Sequence, residues 1–281
     1  MTTNTQDAIV LLGDSLTEFG FGEGGFAAKL ANAYVRKLDV INRGFSGYNT
    51  DWILPVFEQC FPTQEQQQQQ RLPTIRLLTI WLGANDAALP PSPQHVPLSR
   101  YKANLARLIR ALRSPDSPRY APHTRILLLT PPPADGPRWA QFLAEQTRGM
   151  EPPEWAKKLA AEVGWEAVQR PDRSVEVSGK YAAAAREVGA EEGVAVVDVW
   201  TALWEAAGKD EKGLGDLLVD GLHLSEKGYK IVYDGIVSTI AEKYPEYHFD
   251  NLQTVFATYE PFFENPGDYL NIAKKRSAFK D

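Results

Sequence analysis

A chain of 281 residues that is 43% hydrophobic and 23% charged has ordinary globular composition, which excludes global disorder. Its formal net charge of −6 argues against non-specific nucleic-acid binding, which needs a basic face. Its single cysteine, Cys60, excludes an intrachain disulfide and a cysteine zinc cluster; the apolar neighbours Val56, Phe57 and Phe61 mark it as a buried structural thiol.

The chain opens on Met1-Thr2-Thr3-Asn4-Thr5-Gln6-Asp7, without the basic and apolar segments of a secretory signal. No apolar run approaches the ~20 residues of a membrane span. The end, Ser277-Ala278-Phe279-Lys280-Asp281, is neither a prenylation box nor a peroxisomal signal. A cytoplasmic protein without a membrane span is the expectation.

The first apolar run, 8–12, predicts a strand that runs directly into Gly13-Asp14-Ser15-Leu16. Residues 24–37 are long enough for a helical crossover to the second run, 38–41. That run leads into Asn42-Arg43-Gly44-Phe45-Ser46-Gly47-Tyr48-Asn49-Thr50. The glutamine-rich stretch 64–70 reads as a solvated surface loop inserted before the third run, 77–82. Gly83-Ala84-Asn85-Asp86 follows that run. Over 101–112, Tyr101, Leu105, Leu108, Ile109 and Leu112 fall on one helical stripe. A fourth strand is expected at 126–129, a helix at 175–188 and a fifth strand at 194–199. Ser225 reads as the N-cap of a last helix that carries Ile231, Val232, Ile236 and Ile240 and ends at Tyr244-Pro245. Beyond it, Tyr247, Phe249, Phe256, Tyr259, Phe262 and Phe263 predict packing against the body, and the polar end from Asn265 onward predicts fraying.

The five runs are nearly continuous, broken by Asp39, Thr79 and Asp198, as suits strands covered on both faces. Their alternation with helices predicts a parallel α/β sheet. No repeat and no linker divides the chain. One domain, 1–281, is expected, with a core at about 8–247, an insertion at 64–70 and an extension at 248–281.

In an open parallel sheet, chemistry sits beyond the carboxyl ends of the strands. Ser15 is therefore placed to be a nucleophile, provided a base takes its proton; capping a helix or binding phosphate is its other reading. Asp220-Gly221-Leu222-His223 supplies a base. A carboxylate three residues before an imidazole can fix the tautomer and leave Nε2 free. A metal pair is the rival, but His95, His123 and His248 have no ligand spacing to His223. Gly47 lets backbone approach a substrate oxygen, and the Asn85 amide can donate to an oxyanion; each also fits an ordinary turn.

Together these blocks resemble the GDSL, or SGNH, hydrolase family. Gly13-Asp14-Ser15-Leu16 spells the first name, and Ser15, Gly47, Asn85 and His223 match the second in order. Further blocks are most similar to the isoamyl acetate-hydrolysing esterase branch: 42–50, Gly83-Ala84-Asn85-Asp86-Ala87-Ala88-Leu89, His95-Val96-Pro97-Leu98, Pro131-Pro132-Pro133 and Asp220-Gly221-Leu222-His223-Leu224-Ser225. The resemblance covers about 8–247; the glutamine tract and the C-terminal segment depart from it.

The resemblance implies a three-layer α/β/α, flavodoxin-like fold with five parallel strands. It implies Ser15 as nucleophile, His223 as base and Asp220 as its orienting carboxylate. The oxyanion hole would be the Ser15 and Gly47 N–H groups and the Asn85 side chain. The implied reaction is hydrolysis of short-chain, acetate-type esters, with no metal and no organic cofactor. A small-molecule ester is the expected partner, with no nucleic acid; a homodimer is compatible with it. Phe19, Phe45, Tyr48 and Trp139, with Phe21, are candidates for substrate walls or equally for core. The same blocks also serve sugar deacetylation and lysophospholipid or thioester hydrolysis. A flavin-binding module is disfavoured, because Asp14 and Glu18 stand where phosphate would sit.

Overall fold

The computed structural model describes residues 6–70 and 72–280. Residues 1–5 and Asp281, on which the expectations about signal segments partly rest, lie outside them. Each apolar run forms a strand: β1 (Ala8–Gly13), β2 (Asp39–Gly44), β3 (Ile75–Trp81), β4 (Arg125–Leu129) and β5 (Ala195–Val197). All pairs are parallel, in the order β2-β1-β3-β4-β5. The chain leaves β1 for β2 on one side and crosses to β3 on the other. A crevice therefore opens at the carboxyl ends of β1 and β3.

Helices α1 (Ser15–Glu18) and α2 (Phe26–Ala33) follow β1, and α3 (Thr50–Cys60) and α4 (Gln64–Gln70) follow β2. Helix α5 (Leu98–Arg113) follows β3. Between β4 and β5 lie α6 (Gly136–Gln146), α7 (Glu154–Val163), α8 (Trp165–Gln169) and α9 (Val175–Glu191). Helices α10 (Val199–Ala206) and α11 (Glu226–Lys243) come after β5.

Successive strand residues point to opposite faces. Ile9, Leu11, Leu77, Trp81 and Leu127 pack with Phe26 and Leu30 of α2 and Val232 and Ile236 of α11. Val10, Leu12, Leu78, Ile80 and Leu128 pack with Ile53 and Phe57 of α3, Leu105 and Ile109 of α5, and Val188 of α9. The result is the expected α/β/α sandwich, with β2 its half-buried edge.

Three local expectations are corrected. The fifth run ends at Val197 rather than Val199, because the Asp198 side chain accepts the Thr201 N–H and starts α10. The glutamine tract is a helix, not a loop. The Thr63 N–H donates to Gln66 Oε1 (2.9 Å), and the Gln66 N–H donates to Thr63 Oγ1 (3.2 Å). That is a reciprocal capping box, ahead of residues with good helix propensity. Gln67 Nε2 further donates to the Leu72 and Pro73 carbonyls just before β3. Cys60, at the end of α3, is half-buried rather than buried.

The C-terminal segment also divides differently from its composition. Tyr247 is buried, its carbonyl accepting from Tyr34 Oη at 2.9 Å, and Phe249 packs edge-on to Tyr34. Phe256, Tyr259 and Phe263 are exposed, and Tyr259 and Phe263 pair with each other rather than being buried in the body. The last described residues return to the body instead of fraying. Ala278 is buried, the Gln253 N–H donates to its carbonyl (2.8 Å), and Phe279 meets Tyr247 edge-on with the Arg76 guanidinium over its ring.

Candidate active site

Ser15 is the first residue of α1, immediately beyond β1. An N–H at that position has no partner within its own helix. Asp14 caps the helix, Oδ1 accepting the Leu16 N–H at 3.0 Å.

The other half of the site is built by a turn before α11. Leu218 pairs antiparallel with Leu224, and the Val219 N–H donates to the His223 carbonyl at 2.8 Å. At its tip Gly221 adopts φ +98°, where a Cβ would lie 2.6 Å from backbone atoms of Asp135 and Trp139. A side chain is thus doubly excluded. The turn folds Asp220 back over the residues that follow it. Oδ1 accepts the N–H groups of Leu222 (2.9 Å) and His223 (2.8 Å), and Oδ2 lies 2.6 Å from His223 Nδ1. Burial by itself would push the Asp220 carboxyl up. The His223 ring and these two backbone donors outweigh it and hold the carboxyl below its usual range. Ser225 caps α11 as expected, accepting the Gly228 N–H.

The two halves meet. His223 Nε2 lies 2.9 Å from Ser15 Oγ, across 208 positions of sequence. Ser15 and Asp220 are both 6% exposed, so the line Asp220–His223–Ser15 is nearly water-free at both ends. Among the described residues, no group of three or more His, Cys, Asp or Glu side chains is arranged to hold a metal ion.

Gly47 lies in the loop between β2 and α3 with φ +80°, and Asn85 lies just beyond β3. Asn85 Nδ2 donates to the Tyr48 carbonyl at 2.9 Å, joining the two loops. Of the candidate wall residues, Phe19 and Trp139 stand edge-on to the His223 ring, with centroids at 5.4 and 5.7 Å. Phe45 and Tyr48 form a separate pair at 5.5 Å, packed against the core cluster of α3 and α5. Phe21 is exposed. A cavity of about 320 Å³ lined by Phe61, Gln67, Ile75 and Tyr120 opens near the amino ends of β3 and β4, away from all of these residues.

Four further residues converge here that motif reading passed over. Asp14 and Asp86 are fully buried, each with one carboxylate oxygen lacking a partner. Burial pushes each carboxyl up to about 7, against the Leu16 N–H at Asp14 and the Thr50 N–H and hydroxyl at Asp86. Arg173, just ahead of α9, is buried with them. Desolvation lowers its pKa against the opposing pull of Asp172, Asp14 and Asp86. Gln94 bridges the loops of Gly47 and Asn85. Asp14 and Asp86 stand inside the motif blocks, although no role in the site was expected of them. Arg173 belongs to no motif, and only the fold brings it in.

The two raised carboxyls have a consequence for stability. Between about pH 4 and pH 7 the folded chain keeps protons at Asp14 and Asp86 that the unfolded chain has released. Their contribution to stability is therefore largest in acid and is lost as pH rises through about 7. Asp86→Asn removes one such group. Its stability relative to the unsubstituted chain, measured by denaturant unfolding, should improve from near pH 5 to near pH 8. A difference that stays flat with pH would contradict the assignment.

The model of the GDSL-like lipase/acylhydrolase family matches residues 11–231. The chain is 36% identical to an isoamyl acetate-hydrolyzing esterase 1 homolog of Bos taurus, over 84% of this chain and 82% of the relative. It is 30% identical to the isoamyl acetate-hydrolyzing esterase of Saccharomyces cerevisiae, over 88% and 91%. Among solved structures, a lipase/acylhydrolase from Enterococcus faecalis superposes with TM-score 0.54 at 23% identity, covering 85% of this chain and 97% of that one. A catalytic mutant of an acetylxylan esterase from Geobacillus stearothermophilus superposes with TM-score 0.54 at 20% identity, covering 85% and 96%. Those two likenesses concern the fold.

Proposed function

Since the chain belongs to the GDSL-like lipase/acylhydrolase family and is a carboxylic ester hydrolase, we propose that it cleaves short-chain, acetate-type esters through an acyl-enzyme on Ser15. The observation that carries the mechanism is the unbroken line from Asp220 Oδ2 to His223 Nδ1 (2.6 Å) and from His223 Nε2 to Ser15 Oγ (2.9 Å).

In this reading the ester carbonyl carbon sits above Ser15 Oγ. His223 Nε2 takes the hydroxyl proton as Oγ attacks, and Asp220 stabilises the imidazolium that forms. The tetrahedral oxyanion receives hydrogen bonds from the Ser15 and Gly47 N–H groups and from Asn85 Nδ2. Collapse expels the alcohol, which takes the proton from His223. Water then gives a proton to His223 and attacks the acyl carbon. The second intermediate breaks down to the acid, and Ser15 regains its proton. The sheet order supports the same assignment, since Ser15 and Asn85 follow the adjacent strands β1 and β3. It also supports treating 1–281 as a single hydrolase domain, because the nucleophile and its base come from opposite ends of the core.

The acetate preference rests on the relatives named for isoamyl acetate hydrolysis. Phe19 and Trp139 are proposed to wall one side of the cleft beside His223, with Phe45 and Tyr48 on the other. In an apolar pocket a methylene that fits is worth ~1–3 kcal/mol, whereas one that does not fit is excluded. On p-nitrophenyl esters, kcat/KM should therefore fall from acetyl through butyryl to octanoyl. Lengthening the alcohol of an acetate ester from ethyl to isoamyl should raise it. A profile rising toward octanoyl would reject the acetate reading in favour of lipid acyl hydrolysis, with Ser15, His223 and Asp220 in the same roles.

A further inference from the structure

The oxyanion reading leaves one question of chemistry. A primary amide has a donor end and an acceptor end of nearly identical shape. Asn85 stabilises an oxyanion only if its nitrogen, not its oxygen, faces the cleft. We infer that Gln94 and Arg173 are positioning residues that fix this direction.

The chain of bonds starts at a group with one polarity. A guanidinium can only donate. Arg173 has a 2% exposed side chain and is held by Asp172 Oδ2 at 2.6 Å. Its Nη2 donates to Gln94 Oε1 at 2.8 Å. The acceptor end of Gln94 is thereby committed, and its Nε2 must face the other way. There Nε2 donates to the Gly47 carbonyl (2.9 Å) and to Asn85 Oδ1 (3.1 Å). Arg173 Nη2 approaches the same Asn85 oxygen at 3.4 Å. The acceptor end of Asn85 is committed in turn, which leaves Nδ2 to donate. One of its hydrogens goes to the Tyr48 carbonyl at 2.9 Å, and the second is left for the cleft.

Reversing Asn85 would set its nitrogen against two donors, Gln94 Nε2 and Arg173 Nη2, in a buried setting. Unmatched buried polar groups of that kind are costly. Gln94 is itself fixed from the backbone side, since Asn49 Nδ2 donates to its carbonyl at 3.0 Å. Gln94 thus sets two things together: the direction of the Asn85 amide and the spacing between the loops that carry Gly47 and Asn85. Neither Gln94 nor Arg173 needs to touch substrate.

This inference rests on the oxyanion role proposed for Asn85, and the test separates the two. Steady-state kinetics on p-nitrophenyl acetate would compare Gln94→Glu, Asn85→Ala and the double variant, with melting curves as a check on folding. Gln94→Glu keeps the shape and the contact with Arg173. It replaces the donor end with a second acceptor, toward which the Asn85 nitrogen would turn. Loss of one oxyanion donor lowers kcat by ~10²–10³. Gln94→Glu should approach the lower figure, with KM nearly unchanged. Because Gln94 acts through Asn85, adding Gln94→Glu to Asn85→Ala should cost little more, the non-additivity expected of groups that act as a unit. Gln94→Met brings no charge and should show the same non-additivity; it also serves if the glutamate variant fails to fold.

Equal fold-losses from the Gln94 substitutions in both backgrounds would overturn the inference. So would a raised KM with unchanged kcat, or wild-type kcat in Gln94→Glu. In each of these cases a large kcat loss in Asn85→Ala would leave the oxyanion role standing. Wild-type kcat in Asn85→Ala would bring down both readings.

Discussion

Ser15→Ala and His223→Ala should each lower kcat on p-nitrophenyl acetate by roughly 10⁶-fold, and the double variant should lose little more. The size follows from the geometry. Among the described residues, the Ser15 hydroxyl is the hydrogen-bond partner of His223 Nε2, and without it no such group is placed to carry the acyl moiety. Without the imidazole, the hydroxyl keeps its proton and is a poor nucleophile. Each substitution therefore removes the same route, and the losses cannot multiply. What survives is catalysis by the oxyanion donors and by binding, a residual well above the reaction in water. A serine-reactive phosphonate should label the peptide that contains Ser15, stoichiometrically and irreversibly. His223→Ala should label far more slowly while folding normally. Near-wild-type kcat in Ser15→Ala, or labelling of a different serine, would remove the basis of the proposed mechanism.

How much of this was legible in the sequence depended on whether the signal was local. Strands covered on both faces are apolar at nearly every position, so 8–12, 126–129 and, but for Thr79, 77–82 stood out as continuous runs. Their ends were less clear, because Ile75, Arg76 and Arg125 emerge from between the helical layers and tolerate polar or half-buried surroundings. Val199 looked like strand because it is apolar, yet its neighbour Asp198 caps a helix by accepting from the Thr201 N–H and hydroxyl, which sets the boundary. The glutamine tract lacked an apolar stripe and read as loop. Its helix is specified by the pairing of Thr63 with Gln66, a contact between side chain and backbone that hydrophobic patterning does not register. The exposed aromatics Tyr259 and Phe263 show the converse: apolar character marks a candidate for burial and does not say what would cover it.

The site divides in the same way. Ser15, Gly47 and Asn85 each follow a strand end closely, and Asp220 and His223 are three residues apart, so the short-range arrangement of the parts was readable. The polar network that orients them was not. Arg173 reaches Asn85 over 88 positions and Gln94 over 79. An arginine ahead of a helix ordinarily faces water, and apart from the adjacent Asp172 nothing nearby in sequence signals that this one is buried. Such groups become visible only once the sheet has set the separation of its loops.

The role assigned to Asp220 leads to the second large effect. Asp220→Asn is the smallest change available, one oxygen for one nitrogen, yet it should lower kcat by roughly 10⁴-fold, the scale of the same change in other triads. The reason lies in the two backbone donors on the far side of the carboxylate. The N–H groups of Leu222 and His223 point at Oδ1 from 2.9 and 2.8 Å and require an acceptor there. An asparagine must therefore keep its carbonyl oxygen toward them and turn its amide nitrogen toward His223 Nδ1. That nitrogen donates, so Nδ1 must accept, and the imidazole proton moves to Nε2. The ring is then in the tautomer that cannot take the Ser15 proton. KM should change little, because Asp220 does not reach the cleft. Stability should fall as well, with a definite pH dependence. The Asp220 carboxyl is held below its usual range, so its stabilising contribution is present at neutral pH and is lost as pH falls through the folded value. The destabilisation by Asp220→Asn should accordingly be greatest near neutrality and should shrink in acid. A kcat within tenfold of the unsubstituted enzyme would mean that another group orients His223; a destabilisation that grows in acid would mean that the carboxyl is not held ionised by its three donors.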